Sequence, residues 1–176
     1  MSVEILIWAI YLIILIPFFY LAMAALSFAP WVPCWKKDLG RIFKLAGLQK
    51  GEVFYDLGCG NGRTVFYAAK HYNARAIGVE LALPLYLWCK LRHLFYINRG
   101  VTIKWKNLFK EDLSRADVVY FFGLPKSIKN KLKKKLEREL KPGARVVSYA
   151  FTIPDWDIVV KDKPREKDTP VYLYKI

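Results

Sequence analysis

The densest chemistry in this 176-residue sequence lies in the run Tyr55-Asp56-Leu57-Gly58-Cys59-Gly60-Asn61-Gly62-Arg63. Three glycines spaced by two let a backbone turn sharply and approach a ligand closely, and a helix starting just after them would aim its free N–H groups at a carboxylate or phosphate. A tight turn alone needs fewer glycines. The dinucleotide fingerprint G-x-G-x-x-G would require glycine at position 63, where the chain has Arg63, and the phosphate loop G-x-x-x-x-G-K-[ST] is absent, so NAD and ATP are both disfavoured. A second carboxylate, Glu80, follows 24 residues after Asp56, where an acid can accept both ribose hydroxyls of a nucleoside. Asn107-Leu108-Phe109 forms a third element. Taken singly, Glu80 reads as an exposed acid and Asn107 as a turn residue; the signal is their placement after successive strands.

Those strands follow from the hydropathy period. Val53 to Asp56, Ala76 to Val79, Val101 to Trp105, Val118 to Phe122 and Ala144 to Tyr149 are short apolar runs, separated by helical patterns at Arg63 to Tyr72, Leu83 to Ile97 and Ser127 to Leu140. Alternation of this kind predicts an α/β fold, a mostly parallel sheet with helices on both faces. Ile158 to Val160 and Val171 to Tyr174, flanking a polar stretch with Pro164 and Pro170, predict an antiparallel hairpin closing one edge.

An acid at the end of the first strand followed by G-x-G-x-G resembles the first motif of class I S-adenosylmethionine (SAM)-dependent methyltransferases, whose fold is Rossmann-like. The resemblance implies SAM as cofactor, held by Asp56, Gly58, Gly60, Asn61, Gly62, Glu80, Leu81, Asn107 and Leu108, with Asn107 against the adenine amine. Pro30-Trp31-Val32-Pro33, Gly78-Val79-Glu80-Leu81, Leu124-Pro125 and Gly143 to Ser148, with Phe151, Pro154 and Trp156, extend the pattern. It looks like the membrane-anchored lysine methyltransferases that modify the adenine nucleotide translocator and the ATP synthase c-subunit, and their prokaryotic relatives. Cys59 stands where those relatives usually have Ser, Asn61 where they have Asp, and Ala82-Leu83-Pro84 replaces an Asn-Pro.

SAM carries an electrophilic sulfonium, so no metal or covalent nucleophile is needed, only an acceptor held in line with the methyl group. A lysine acceptor has a reference pKa of about 10.4, so roughly one amine in a few thousand is neutral at pH 7. Desolvation between aromatic walls would help deprotonate it. Trp31, Tyr120, Phe122, Phe151 and Trp156 are candidates for such walls or for the core, and the family layout puts Phe122-Gly123-Leu124-Pro125 beside the transferred methyl. Substrate positioning is therefore expected of Phe122, Leu124, Pro125, Trp31 and Trp156; no general base is evident. His71 and His93 stand apart from any ligand-like cluster, so no metal site is expected. Cys34, Cys59 and Cys89 form no CxxC pair and read as small apolar filler rather than a disulfide framework.

The chain is long enough for one domain with a real core, and 55% hydrophobic residues exclude a disordered one. No charged residue occurs from Ile5 to Trp35, so the last 141 residues hold all 29 bases against 14 of the 15 acids, a surplus of 15. Ile5 to Ala29 as a helix would reach about 37 Å, enough to cross a bilayer with some tilt. A signal peptide would begin with bases, which Met-Ser-Val-Glu lacks, and a buried core helix of this length would carry a polar face. We therefore expect residues 1–35 to be a transmembrane helix with an interfacial segment and 36–176 the methyltransferase domain. Lys36, Lys37, Arg41 and Lys44 follow the span and only Glu4 precedes it, placing the domain in the cytoplasm of a single-pass protein. A prokaryotic plasma membrane fits best, or the mitochondrial inner membrane in a eukaryote.

Lys126 to Lys141 holds eight basic residues above an apolar stripe of Ile128, Leu132, Leu136 and Leu140. The stripe reads as a helix covering the sheet, and its basic face suits anionic headgroups. The expected partners are thus the lipid bilayer and a membrane-associated protein substrate. Small molecules and lipids are the alternative acceptors. Nucleic acid is disfavoured, because only the charge supports it and there is no Asn-Pro-Pro-Tyr-type motif after the fourth strand.

Overall fold

The computed structural model describes residues 3–95 and 100–176. Helix α1 (Val3–Ser27) is followed by an extended strap, residues 28–35, a 3-10 turn (Lys36–Asp38) and α2 (Leu39–Ala46). Strands and helices then alternate as β1 (Val53–Leu57), α3 (Arg63–Tyr72), β2 (Arg75–Glu80), α4 (Leu83–Leu94), β3 (Val101–Trp105) and β4 (Val118–Phe121). Pro125–Ser127 (α5), a π-helical turn (Ile128–Leu132) and α6 (Lys133–Glu139) run on continuously to β5 (Arg145–Tyr149), and β6 (Val160–Asp162) and β7 (Val171–Lys175) close the chain.

The sheet order is β3-β2-β1-β4-β5-β7-β6, parallel from β3 through β5 and antiparallel at β5–β7 and β7–β6. This is the expected Rossmann-like sheet with its closing hairpin. Chain order reverses at β1, flanked by β2 and β4, and such a switch point opens a crevice at the carboxyl ends of the strands. Leu57, Glu80, Trp105 and Phe121 all end there. The sixth strand starts at Val160, two residues later than its apolar run: Ile158 and Val159 are exposed, and the register is set by Val160 opposite Leu173. The last part of the helix expected over Leu83 to Ile97 lies outside the described residues.

Two apolar cores sandwich the sheet. On one face, α2 and α3 insert Ile42, Phe43, Val65 and Phe66, and α4 adds Cys89. Helix α2 has no counterpart among the expected elements, because its flanking charges mask an eight-residue amphipathic helix that buries Leu39, Ile42, Phe43 and Ala46. Against the other face, Ile128, Leu132, Leu136 and Leu140 form the expected stripe. Its basic side is less uniform than the sequence suggests: Lys135 is buried, paired 2.5 Å from Glu139 and donating to the Glu111 carbonyl. Phe28 belongs to this second core and Cys34 to the first, so the strap crosses the carboxyl edge of the sheet from one face to the other. Helix α1 carries a mean hydropathy of 2.6 over its most apolar 18 residues, with no residue of that window buried.

Candidate active site

The glycine-rich turn sits where β1 meets α3, at the switch point. Gly58 and Cys59 both donate to the Val79 carbonyl, at 2.9 and 3.1 Å, and the Cys89 thiol donates to the Gly60 carbonyl at 3.1 Å. Gly60 has a φ of 55°. A Cβ there would also stand 2.6 Å from the Trp31 indole nitrogen, so both conformation and space require glycine.

Asp56 and Glu80 are buried side by side at adjacent strand ends. The Asp56 carboxylate accepts from the Thr64 hydroxyl, one residue into α3. Burial pushes its pKa up to about 7; the Thr64 hydroxyl opposes this and the Glu80 charge adds to it. Glu80 accepts from the Gly60 N–H at 2.8 Å through one oxygen and from the Ala82 N–H at 2.7 Å through the other. Burial raises its pKa, against those backbone donors. With the Leu81 N–H donating as well, Glu80 fastens the turn and keeps lone-pair capacity for a ligand hydroxyl. Asn107 caps the following 3-10 turn, its side-chain oxygen accepting from the Phe109 N–H at 2.9 Å, which leaves its amide donors for a ligand.

Two cavities run along this edge. One, about 60 Å³, is bounded by Glu80, Leu81, Asn107, Leu108 and Phe28; the other, about 30 Å³, by Asp56, Gly60, Asn61, Thr64, Tyr120 and Phe122. Trp31 and Gly58 border both. The Phe28 ring lies on Gly58 and Gly123, and a Cβ on Gly123 would fall within it.

The donor set fits SAM: a nucleoside end between Glu80 and Asn107, a methionine end beside Asp56 and the glycine turn, and a carboxylate partner in Arg63, whose buried Nε has no hydrogen-bond partner. Both cavities fall far below the ~300 Å³ of an ordinary ligand pocket. Phe28 and Trp31, both on the strap, line this space. SAM supplies the electrophilic methyl; the chain's part is to hold and orient it and to exclude water.

Of the residues expected to position substrate, Phe122 borders both cavities and Trp31 lies between them. Leu124 is exposed and Pro125 begins α5; neither borders either of these two cavities. Trp156 is elsewhere, its indole donating to Glu137 at 2.9 Å and packing on Tyr174. Phe151 leans on Phe122 with ring centroids 6.4 Å apart. Tyr120 is buried and hydrogen-bonded to the Cys34 thiol; burial pushes the thiol up to about 11 and the phenol well above its usual range, so both stay neutral at physiological pH. Sequence reasoning missed Thr64 and Phe28. A hydroxyl one residue into the helix after a glycine turn was a readable signal; Phe28 was hidden inside the apolar run.

Fold and donor set together define a class I SAM-dependent methyltransferase. The sequence pattern of the ANTKMT methyltransferase domain matches residues 56–160, and the chain belongs to that family. A protein-lysine N-methyltransferase of Saccharolobus islandicus (strain REY15A) is 39% identical, over 88% of this chain and 98% of the relative. The human lysine N-methyltransferase of the ATP synthase c-subunit is 33% identical over 72% of this chain, which spans 54% of that enzyme's length. Among solved structures, an RNA methyltransferase from Salinibacter ruber in complex with S-adenosyl-L-homocysteine superimposes with a TM-score of 0.78 at 32% identity, covering 82% of this chain and 94% of that one. SAM is the cofactor.

Proposed function

We propose that this protein methylates the ε-amine of a lysine in a membrane-associated protein, from a domain held at the bilayer by α1. That it is a SAM-dependent protein-lysine N-methyltransferase follows from its family. The match to the Saccharolobus enzyme over nearly that protein's whole length carries the lysine assignment. The human relative's named substrate, a component of the ATP synthase, supports a membrane-associated acceptor. The unburied apolar surface of α1 supports the anchor, and the bases after it support a cytoplasmic domain, although Lys37 and Arg41 also pair with Asp168 and Asp162.

In this reading SAM lies along the edge with its ribose on Glu80, its adenine by Asn107 and Leu108 and its methionine end by Asp56. The lysine approaches past Phe122, Tyr120 and Trp31. These aromatic walls withhold water, which disfavours the ammonium form and supplies the free amine that attacks the methyl carbon.

An RNA acceptor is the rival, favoured by the name of the Salinibacter structure and by the net charge of +14. Incubation with radiolabelled SAM and separated membrane-protein, lipid and RNA fractions decides between them. Label is expected in membrane protein; label confined to RNA would overturn the proposal.

A further inference from the structure

Helix α4 has two apolar faces. Leu85 and Cys89 point into the protein, as a helix covering a sheet requires. On the outside, Leu87, Trp88, Leu91, Leu94 and Phe95 recur at the spacing of a single helical stripe, and each is more than half exposed, Leu94 and Phe95 about four-fifths. Five large apolar side chains in one row on a water-facing helix are unfavourable unless something covers them.

The neighbours say what covers them. Tyr20 of α1 meets Trp105 edge-on at 6.0 Å, and Trp105 stacks on Tyr86 at 6.2 Å on the flank of α4, so α1 lies beside the helix that carries the stripe. From Tyr20 onward α1 rests against the domain, with Leu21, Ala24 and Ser27 bordering the cofactor cavity. A helix so placed holds the domain against the bilayer, where the α4 stripe can enter the headgroup region. Trp88 and Trp105 are the side chains that favour this depth. Trp88 also borders a groove lined by Lys36, Lys70 and Arg92 with no carboxylate, which complements anionic headgroups.

We propose that α4 lies in the plane of the membrane interface and seats the domain on anionic lipid through Leu87, Trp88, Leu91, Leu94 and Phe95. The proposal rests on α1 being a membrane anchor. Seating fixes the height of the cofactor edge above the bilayer, so the acceptor is a lysine close to the headgroups.

The test uses the full chain in phosphatidylcholine–phosphatidylglycerol nanodiscs, with an environment-sensitive fluorophore on Ile13→Cys, Leu91→Cys or Lys163→Cys and nitroxide-labelled lipids as quencher. The native cysteines are all buried. We expect quenching at positions 13 and 91 several-fold stronger than at 163. Position 91 behaving like 163 while 13 is quenched would overturn the seating and leave the anchor standing; no quenching at 13 would remove both. Shielding at 91 that grows with the protein-to-lipid ratio marks a second copy on the stripe, and also overturns the proposal.

Discussion

Asp56 is the residue whose environment makes the sharpest claim. A carboxyl raised to about 7 favours the folded state fully only below its unfolded pKa near 4, and that contribution disappears as pH rises through 7. Between those limits the wild type should lose stability relative to Asp56→Asn, as followed by urea unfolding at stepped pH. Cationic SAM favours the ionised carboxylate, so its affinity should fall as pH drops below 7 in the wild type and stay level in Asp56→Asn. A parallel decline in both proteins would remove Asp56 from the site. In the proposed pose Glu80→Ala loses charge-assisted hydrogen bonds to the ribose, each worth about 1.5–3 kcal/mol, so calorimetry should show SAM binding weakened tenfold or more. It also leaves the Gly60 and Ala82 N–H groups without their acceptor, so a lowered melting temperature should accompany the loss. Asp56, Glu80 and the glycines were readable because strand ends, glycine spacing and buried acids leave local traces. The distance of Trp156 from the cavities was not, since which face of a loop carries an aromatic depends on packing far away in sequence.

At the scale of elements, the parallel sheet, its closing hairpin and the helices after β1, β2 and β4 followed from alternating apolar periods, because β1, β4 and β5 bury both faces and the covering helices alternate apolar and polar positions. The covering helix is the clearest case. Leu132→Ala should cost about 2–5 kcal/mol in chemical unfolding, while exposed Lys134→Ala should stay within about 0.5 kcal/mol. Equal effects would mean that the stripe does not carry the helix. The strap is the opposite case. Its apolar residues merge with the preceding span in any hydropathy window, so nothing local announces that Phe28 leaves the span and lies on Gly123. Because Phe28 of the strap lines the proposed cofactor cavity, Phe28→Leu should speed SAM association several-fold in stopped-flow binding, and an unchanged rate would show that entry does not pass the strap.

For the whole molecule, separating the apolar first 35 residues from the remainder puts a surplus of 15 bases on the domain, which suits the proposed seat beside anionic lipid. Protease added outside sealed inside-out vesicles should digest the domain, whereas in right-side-out vesicles the domain should survive; the reverse pattern would invert the orientation. The cofactor edge, the strap and α1 are one continuous construction, because Leu21, Ala24 and Phe28 border the same cavity as Glu80 and Asn107. Helix α1, the proposed anchor, is thus also a wall of the cavity. The most direct test is mass spectrometry of native membranes incubated with isotopically labelled SAM and either the wild-type protein or Glu80→Ala. Labelled methyl groups on lysines of membrane proteins with the wild type, and none with Glu80→Ala, are the predicted result; labelled methyl groups confined to RNA or lipid, or equal lysine labelling by both proteins, would contradict it.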